Sequence, residues 1–135
     1  MITDDSTIGE RKQKVFIVDD DTFLLDMYVI KFNEVGFEVC SAGSGIDALD
    51  KLNDGFIPDL MLLDVVMPGM DGFELLKNIK EKNLAPSAKI IILSNIGQEN
   101  DIERGKKLGA NGYIVKASVT PTEVVEKMKE MLKQK

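Results

Sequence analysis

Five short apolar runs alternate with amphipathic stretches along this chain. The strand-like segments lie near 14–18, 37–41, 59–63, 89–93 and 112–115, and the helical ones near 22–35, 45–54, 71–82, 98–108 and 121–133. A strand, a helix and a second strand in the same direction need a crossover on one face of a sheet, so five such units predict a parallel sheet with helices on both faces. In an open sheet of that kind all strand carboxyl ends point to one edge. The polar residues that end the runs should therefore converge. Asp19 and Asp20 follow Val15-Phe-Ile-Val18, Asp64 follows Leu60-Met-Leu-Leu63, Ser94 follows Ile90-Ile-Ile-Leu93, and Lys116 follows Tyr113-Ile-Val115. Three carboxylates, a hydroxyl and an ammonium are expected in one crevice.

The helix ends carry their own signals. Gly36 and Gly55 stand where left-handed C-terminal caps are wanted. Asp71-Gly-Phe-Glu74 reads as a capping box, and Thr120-Pro121-Thr-Glu123 adds a proline at the first helical position to a second one. Val124, Val125, Met128, Met131 and Leu132 then form an apolar stripe at helical spacing, read as core. Residues 1–13 are polar, carry both signs of charge and show no periodicity, so they read as a flexible tail before one domain at 14–135. At 135 residues a second, output domain has no room.

Composition narrows the chemistry. With 44% apolar and 30% charged residues, and no run near the roughly 18 apolar residues of a membrane span, a soluble protein without membrane insertion is expected. The acidic start Met1-Ile-Thr-Asp-Asp5 does not resemble a signal peptide. One cysteine, Cys40, allows no intramolecular disulfide, suits the cytoplasm and reads as a small buried hydrophobe. A net charge of -6 and a pI near 4.7 argue against direct binding to nucleic acid phosphates. The chain contains no histidine, which removes a histidine nucleophile, a histidine base and the commonest zinc ligand. Carboxylate, hydroxyl and lysine must carry any reaction.

A helix N-terminus alone accounts for one or two of Asp19, Asp20, Asp21 and Thr22. It does not account for Asp64 at the end of another core strand, because crowded carboxylates repel and raise each other's pKa. A hard divalent cation resolves that conflict: Mg²⁺ takes oxygen ligands, keeps waters and shares its sphere with phosphate. The turn-rich loop Val65-Val-Met-Pro-Gly-Met-Asp-Gly72 fixes the path away from Asp64. Met67 and Met70 on that loop, read as exposed, and the last helix are candidate contacts, with core or surface packing the default for each. Lys116 can neutralise one phosphoryl oxygen, and Ser94 can donate to another.

These residues also carry a family resemblance. Lys14-Val-Phe-Ile-Val-Asp-Asp20, Leu63-Asp-Val-Val-Met-Pro-Gly-Met-Asp-Gly72, Ile92-Leu-Ser94 and Gly109-Ala-Asn-Gly-Tyr-Ile-Val-Lys116 resemble the response-regulator receiver domain of two-component signalling, in its single-domain, chemotaxis-regulator-like form. The resemblance implies an α/β, doubly wound, five-stranded parallel sheet of the flavodoxin-like (βα)5 kind, with strand order 2-1-3-4-5. It implies Asp64 as phosphoacceptor, Asp20 as a direct Mg²⁺ ligand, Asp19 as a ligand through water, and the Val66 carbonyl as a further ligand. Ser94 would be the switch hydroxyl, Lys116 the phosphate-pairing lysine and Tyr113 the rotating aromatic. The implied partners are a histidine kinase or histidine phosphotransfer protein upstream and a separate effector downstream, the receiver being a monomer or a phosphorylation-dependent dimer.

The chain departs from the family pattern at four places. Ala117 replaces the usual proline after the lysine, and a cis bond before alanine costs about 2.5–4 kcal/mol, so a trans bond and a differently shaped loop are expected. Asn95 stands where a small residue is common and would either narrow access to Asp64 or hydrogen-bond the phosphoryl group. Val66 and Ile96 are apolar where polar side chains help orient the hydrolytic water, which predicts slow self-dephosphorylation. Three other readings compete. A haloacid-dehalogenase-like phosphatase wants Asp-x-Asp-x-Thr, and Thr22 is one position early. A flavodoxin-like cofactor binder wants glycines where this chain has acids. A receiver-like scaffold that is never phosphorylated would use its last helix face for binding.

Overall fold

The computed structural model describes residues 12–95 and 99–133. Its elements are β1 (Lys14–Val18), α1 (Thr22–Glu34), β2 (Glu38–Ala42), α2 (Gly45–Asn53), β3 (Leu60–Asp64), α3 (Gly72–Glu81), β4 (Lys89–Ser94), α4 (Glu99–Lys107), β5 (Gly112–Val115) and α5 (Pro121–Lys133). The five strands form one sheet in the order β2-β1-β3-β4-β5, every pair parallel. This is the doubly wound α/β architecture, with strand order 2-1-3-4-5, that the sequence and its resemblance imply.

Alternation along the strands divides the core in two. Val15, Ile17, Leu60, Leu62, Ile91 and Leu93 pack with Leu25, Tyr28 and Phe32 of α1 and Val124, Val125 and Met128 of α5. Their neighbours Phe16, Val18, Met61, Leu63, Ile90 and Ile92 pack with α2 and α3 on the opposite face. Because β3 is covered on both sides, all five of its residues are buried, as a central parallel strand requires.

The caps hold as the sequence indicates. Gly36 and Gly55 have φ of 95° and 113°. Asp71 and Glu74 form a reciprocal capping box, and Thr120 and Glu123 make the same two bonds at 3.1 and 2.8 Å. Phe37 lies outside β2. Its N–H donates to the Phe32 carbonyl at 3.1 Å and its ring meets Phe32 edge-on, so it closes α1 instead of opening the strand. β3 and β4 each run one residue further than the apolar pattern, because the terminal Asp64 and Ser94 still pair, with Leu93 and Val115 respectively.

α4 differs from the other helices. Its one fully buried residue among those described is Gly105, and a Cβ there would lie 2.3 Å from Ile92 Cδ1. The helix thus comes close to β4 at Gly105, where any side chain would have to push the Ile92 Cδ1 methyl aside. Arg104 spans from α4 to α3, its guanidinium 4.4 Å from the centroid of Phe73. α1 is unusual in another way, since apolar residues occur around its whole circumference and leave Phe23 and Ile30 exposed.

The expectation that Met67 is exposed is overturned. Met67 is buried in the α2/α3 core, because the loop folds back until the Gly72 N–H donates to the Val65 carbonyl at 2.8 Å. Val66 is the residue turned outward, 61% exposed. Met70 is half-buried. Cys40, on edge strand β2, is half-buried and packs against the same core, and burial raises its thiol pKa. Among the described residues no helix is long and apolar enough to cross a membrane.

Candidate functional site

The strand ends meet as the topology requires. Asp19 follows β1 directly and is fully buried. Its backbone N–H donates to Ala42 at the end of β2, 3.2 Å away, which keeps the chain in register one step past the strand. Asp21 then caps α1, its carboxylate accepting from the Leu24 N–H at 3.1 Å. The Asp21 N–H in turn donates to Asp19 Oδ1 at 2.9 Å. That one residue both starts the helix and orients the buried carboxylate. Asp20 between them is exposed.

Asp64 ends β3 with 2% exposure. The turn behind it is close: a Cβ on Gly72 would stand 2.2 Å from the Asp64 carbonyl oxygen and 2.9 Å from Val65 Cα. Glycine at position 72 is what lets α3 begin so near the aspartate. Lys116, just past β5, reaches both carboxylates. Its Nζ lies 3.0 Å from Asp19 Oδ2 and 3.2 Å from Asp64 Oδ2. Ser94 is buried at the end of β4. Asp20, Asp21, Leu24, Val66, Asn95 and Ala117 ring an open crevice of about 550 Å³ around Asp64 and Lys116.

The crowding shows in the proton affinities. Asp64 is pushed up to about 7, first by burial and then by the charge of Asp19, with Lys116 pulling the other way. For Lys116 burial works downward, but the hydrogen bond to Asp19 and the charges of Asp64 and Asp19 outweigh it and raise the pKa. Tyr28, buried on α1, is raised to about 12 by burial and by the charge of Asp19. Nothing in the sequence pattern marks Tyr28 beyond helical spacing, and its nearness to the acids is a tertiary fact.

The donor set fits a hard divalent cation. Asp19, Asp20 and Asp64 each offer an oxygen within 4.8 Å of the others. Asp19 Oδ2 is buried and accepts no hydrogen bond among the described residues. A buried carboxylate oxygen that meets the Lys116 ammonium's charge but no hydrogen bond, beside two more carboxylates, suits Mg²⁺ coordination, which is all-oxygen and partly hydrated.

Two expected members lie apart from this cluster or beyond description. Tyr113 is 46% exposed and lines a separate surface groove of about 390 Å³ with Lys106, Lys127, Ile91 and Met131. Ile96 falls outside the described residues. The Lys116–Ala117 bond is trans, as are all peptide bonds among the described residues, and the chain turns there through a single 3-10 turn, Lys116–Ser118.

The family profile described as "Response regulator receiver domain" matches residues 15–129. The chain belongs to that family. Receiver domains of two-component systems serve phosphorylation-based signalling, bind Mg²⁺ at an acidic pocket and interact with histidine kinases and effectors, and the Asp cluster described above is compatible with that metal. This receiver is similar to the Methanospirillum hungatei CheY-like receiver domain protein, with a TM-score of 0.81 and 32% identity over 91% of this chain and 95% of that one. It is also similar to the Vibrio cholerae chemotaxis protein CheY4, with a TM-score of 0.82 and 28% identity over 89% of this chain and 98% of that one. Among curated proteins it is 29% identical to the phosphate regulon transcriptional regulatory protein PhoB of Escherichia coli (strain K12), over 90% of this chain and 52% of that protein. It is 31% identical to the probable transcriptional regulator ycf27 of Guillardia theta, over 93% of this chain and 47% of that protein. The receiver spans about half the length of the curated relatives it matches.

Proposed function

We propose that this receiver, residues 14–135 behind a tail at 1–13, is a cytoplasmic switch in which Asp64 accepts a phosphoryl group from a phosphohistidine on a histidine kinase or phosphotransfer protein. The observation that carries this is Asp64 itself: a nearly buried carboxylate in an open crevice, contacted by one ammonium and crowded by two other acids. A carboxylate oxygen attacks phosphorus in line, the O–P bond forms as the P–N bond breaks, and the imidazole nitrogen keeps the electron pair. Lys116 offsets charge on a phosphoryl oxygen, and the Ser94 hydroxyl donates to another. Asp19, Asp20, Asp64 and the Val66 carbonyl would hold Mg²⁺, which supplies charge neutralisation and orientation to the phosphoryl oxygens when bound.

Phosphorylation places a charge of about -1.5 to -2 on Asp64. Drawing Ser94 toward it vacates space into which Tyr113 turns from its exposed position, and the face made by α4, β5 and α5 changes shape for a separate effector. The receiver acts as a monomer or as a phosphorylation-dependent dimer. Water later cleaves the acyl phosphate. Val66, apolar and outward at the rim, offers that water no hydrogen bond, so the phosphorylated state is long-lived. The donor protein meets the same rim and, beside the rim residues Asp21 and Leu24, Phe23, the second residue of α1, which is 73% exposed and offers an apolar contact.

Intact mass after incubation with acetyl phosphate, with and without Mg²⁺ and beside Asp64→Asn, tests the reading. A Mg²⁺-dependent phosphoryl adduct absent from the variant is the expected result. No adduct on the parent protein refutes it and leaves a binding scaffold.

A further inference from the structure

β2 is an outer strand of the sheet, paired on one side with β1 and on the other with no strand among the described residues. Its ladder to β1 uses alternate residues, as parallel pairing does. The Glu38 N–H donates to the Gln13 carbonyl at 2.9 Å, and the Ala42 carbonyl accepts the Asp19 N–H at 3.2 Å. Val39 and Ser41, on the other parity, therefore turn their backbone N–H and C=O groups to the free edge. An edge of this kind is a template for another strand. One of its groups is already taken. Lys51, on α2, donates from Nζ to the Ser41 carbonyl at 2.5 Å. Asp47, one turn earlier on the same helix, lies 3.4 Å from that ammonium and helps to hold it there.

We propose that Lys51 guards the β2 edge: its bond to Ser41 keeps a second copy of this chain from adding its own β2, and loss of that ammonium opens the edge to antiparallel pairing about Cys40. The register follows from what the edge can offer. Before Val39, the Phe37 N–H is committed to the Phe32 carbonyl at 3.1 Å. After Ala42 the strand ends, and Ser44 turns to cap α2. Val39 and Ser41 remain, and both are satisfied when Val39 of each copy lies opposite Ser41 of the other, each such pair exchanging both N–H···O bonds. The two-fold axis then passes through Cys40, whose own backbone groups face β1. The two cysteines thus form a non-hydrogen-bonded pair, the kind in which opposite side chains stand closest. This pairing needs the Ser41 carbonyl of both copies, and Lys51 occupies both. Lysine suits the task, because its flexible stem carries a compact charge to the carbonyl, and trapping that charge between two strands would strip it of water. The contact uses neither Asp64 nor a metal.

Sedimentation equilibrium compares the parent protein with Lys51→Ala, Lys51→Arg and the distant control Lys31→Ala. The runs contain reductant, no Mg²⁺ and no phosphodonor, with about 0.15 M salt to screen the net charge of -6. Each copy must break a lysine–carbonyl bond to pair, so Lys51→Ala should lower the dimer dissociation constant at least about tenfold. Lys51→Arg, which keeps a charged donor, and Lys31→Ala should associate no more than the parent. Adding Val39→Pro to Lys51→Ala removes an outward N–H and leaves the β1 ladder its donors, so it should return association to the parent's level. A second readout needs no proline. Oxidation by copper phenanthroline should link Lys51→Ala into a Cys40–Cys40 dimer faster than the parent. Association of Lys51→Ala equal to the parent's overturns the proposal. Association that survives Val39→Pro also overturns it, because the contact then lies away from the edge. A dimer that does not link through Cys40 overturns it too, since the strands would then not pair about that residue.

Discussion

Replacing Asp64 by asparagine should stabilise this protein, and the reason lies in the crowding that makes the site useful. Burial and the charge of Asp19 raise the Asp64 pKa from 3.8 to about 7. The folded state therefore holds a proton that the unfolded chain releases, and ionised Asp64 is a net cost to folding. At about 1.4 kcal/mol per tenfold change in proton affinity, that cost is about 2–4 kcal/mol when Asp64 is fully charged. Below the unfolded value the group is protonated in both states and costs nothing. Between the two values the stability of the parent protein falls as pH rises, and above the folded value the loss is complete. Asp64→Asn keeps the shape and removes the charge. It should thus match the parent near pH 4 and exceed it increasingly up to about pH 7. At about pH 8 it should melt about 6–15 °C higher. Thermal melts followed by circular dichroism across this range, with chelator present, read the effect directly. A variant that is no more stable than the parent at about pH 8, or a gain that does not vary with pH, refutes the electrostatic account.

Other expectations follow from separate contacts. Gly72→Ala puts a methyl group against the Asp64 carbonyl, so it should cost about 1–3 kcal/mol in urea unfolding and also reduce the rate of phosphorylation by acetyl phosphate; an unchanged rate would show that the loop can yield without moving Asp64. Val66→Asn supplies a hydrogen-bonding group at the crevice rim and should shorten the life of the acyl phosphate, measured as decay of the phosphorylated mass after donor removal, and an unchanged or longer half-life counts against the role given to Val66. Phe23→Ala should slow phosphotransfer from a phosphohistidine protein while leaving acetyl phosphate labelling intact. Equal slowing with both donors would show a local disturbance of the crevice.

Much of the frame is legible in the residues because the forces that build it are local or periodic. β1, β5 and α5 have the bounds that their patterns indicate, and the caps at Gly36, Gly55, Asp71 and Thr120 stand where their chemistry asks for them. The convergence of Asp19, Asp20, Asp64 and Lys116 follows from strand direction alone. What is not legible depends on contacts across the fold. Met67 sits in a turn-rich loop and follows no period, yet it is buried because Gly72 draws the loop back to Val65. Phe37 reads as the first residue of a strand until Phe32 claims it. Lys116 is recognisable as a strand-end lysine, but its contact with two carboxylates at once requires distances that no spacing encodes. The backbone N–H of Asp21 on Asp19 is invisible for the same reason.

The glycine contact between α4 and β4 bears on how the molecule responds to force and exchange. A helix whose described residues include one buried position, Gly105, has little apolar area to lose on lifting away. Its amides should open through a sub-global route far below the free energy of complete unfolding, while those of β3 exchange only with the whole domain. Detaching α4 is then within the reach of a single bond made or broken at the sheet edge, and the rest of the fold need not soften for that to happen. In mechanical terms α4 is compliant where β3 is stiff, and a stress applied at Ser94 is taken up by the helix that follows it.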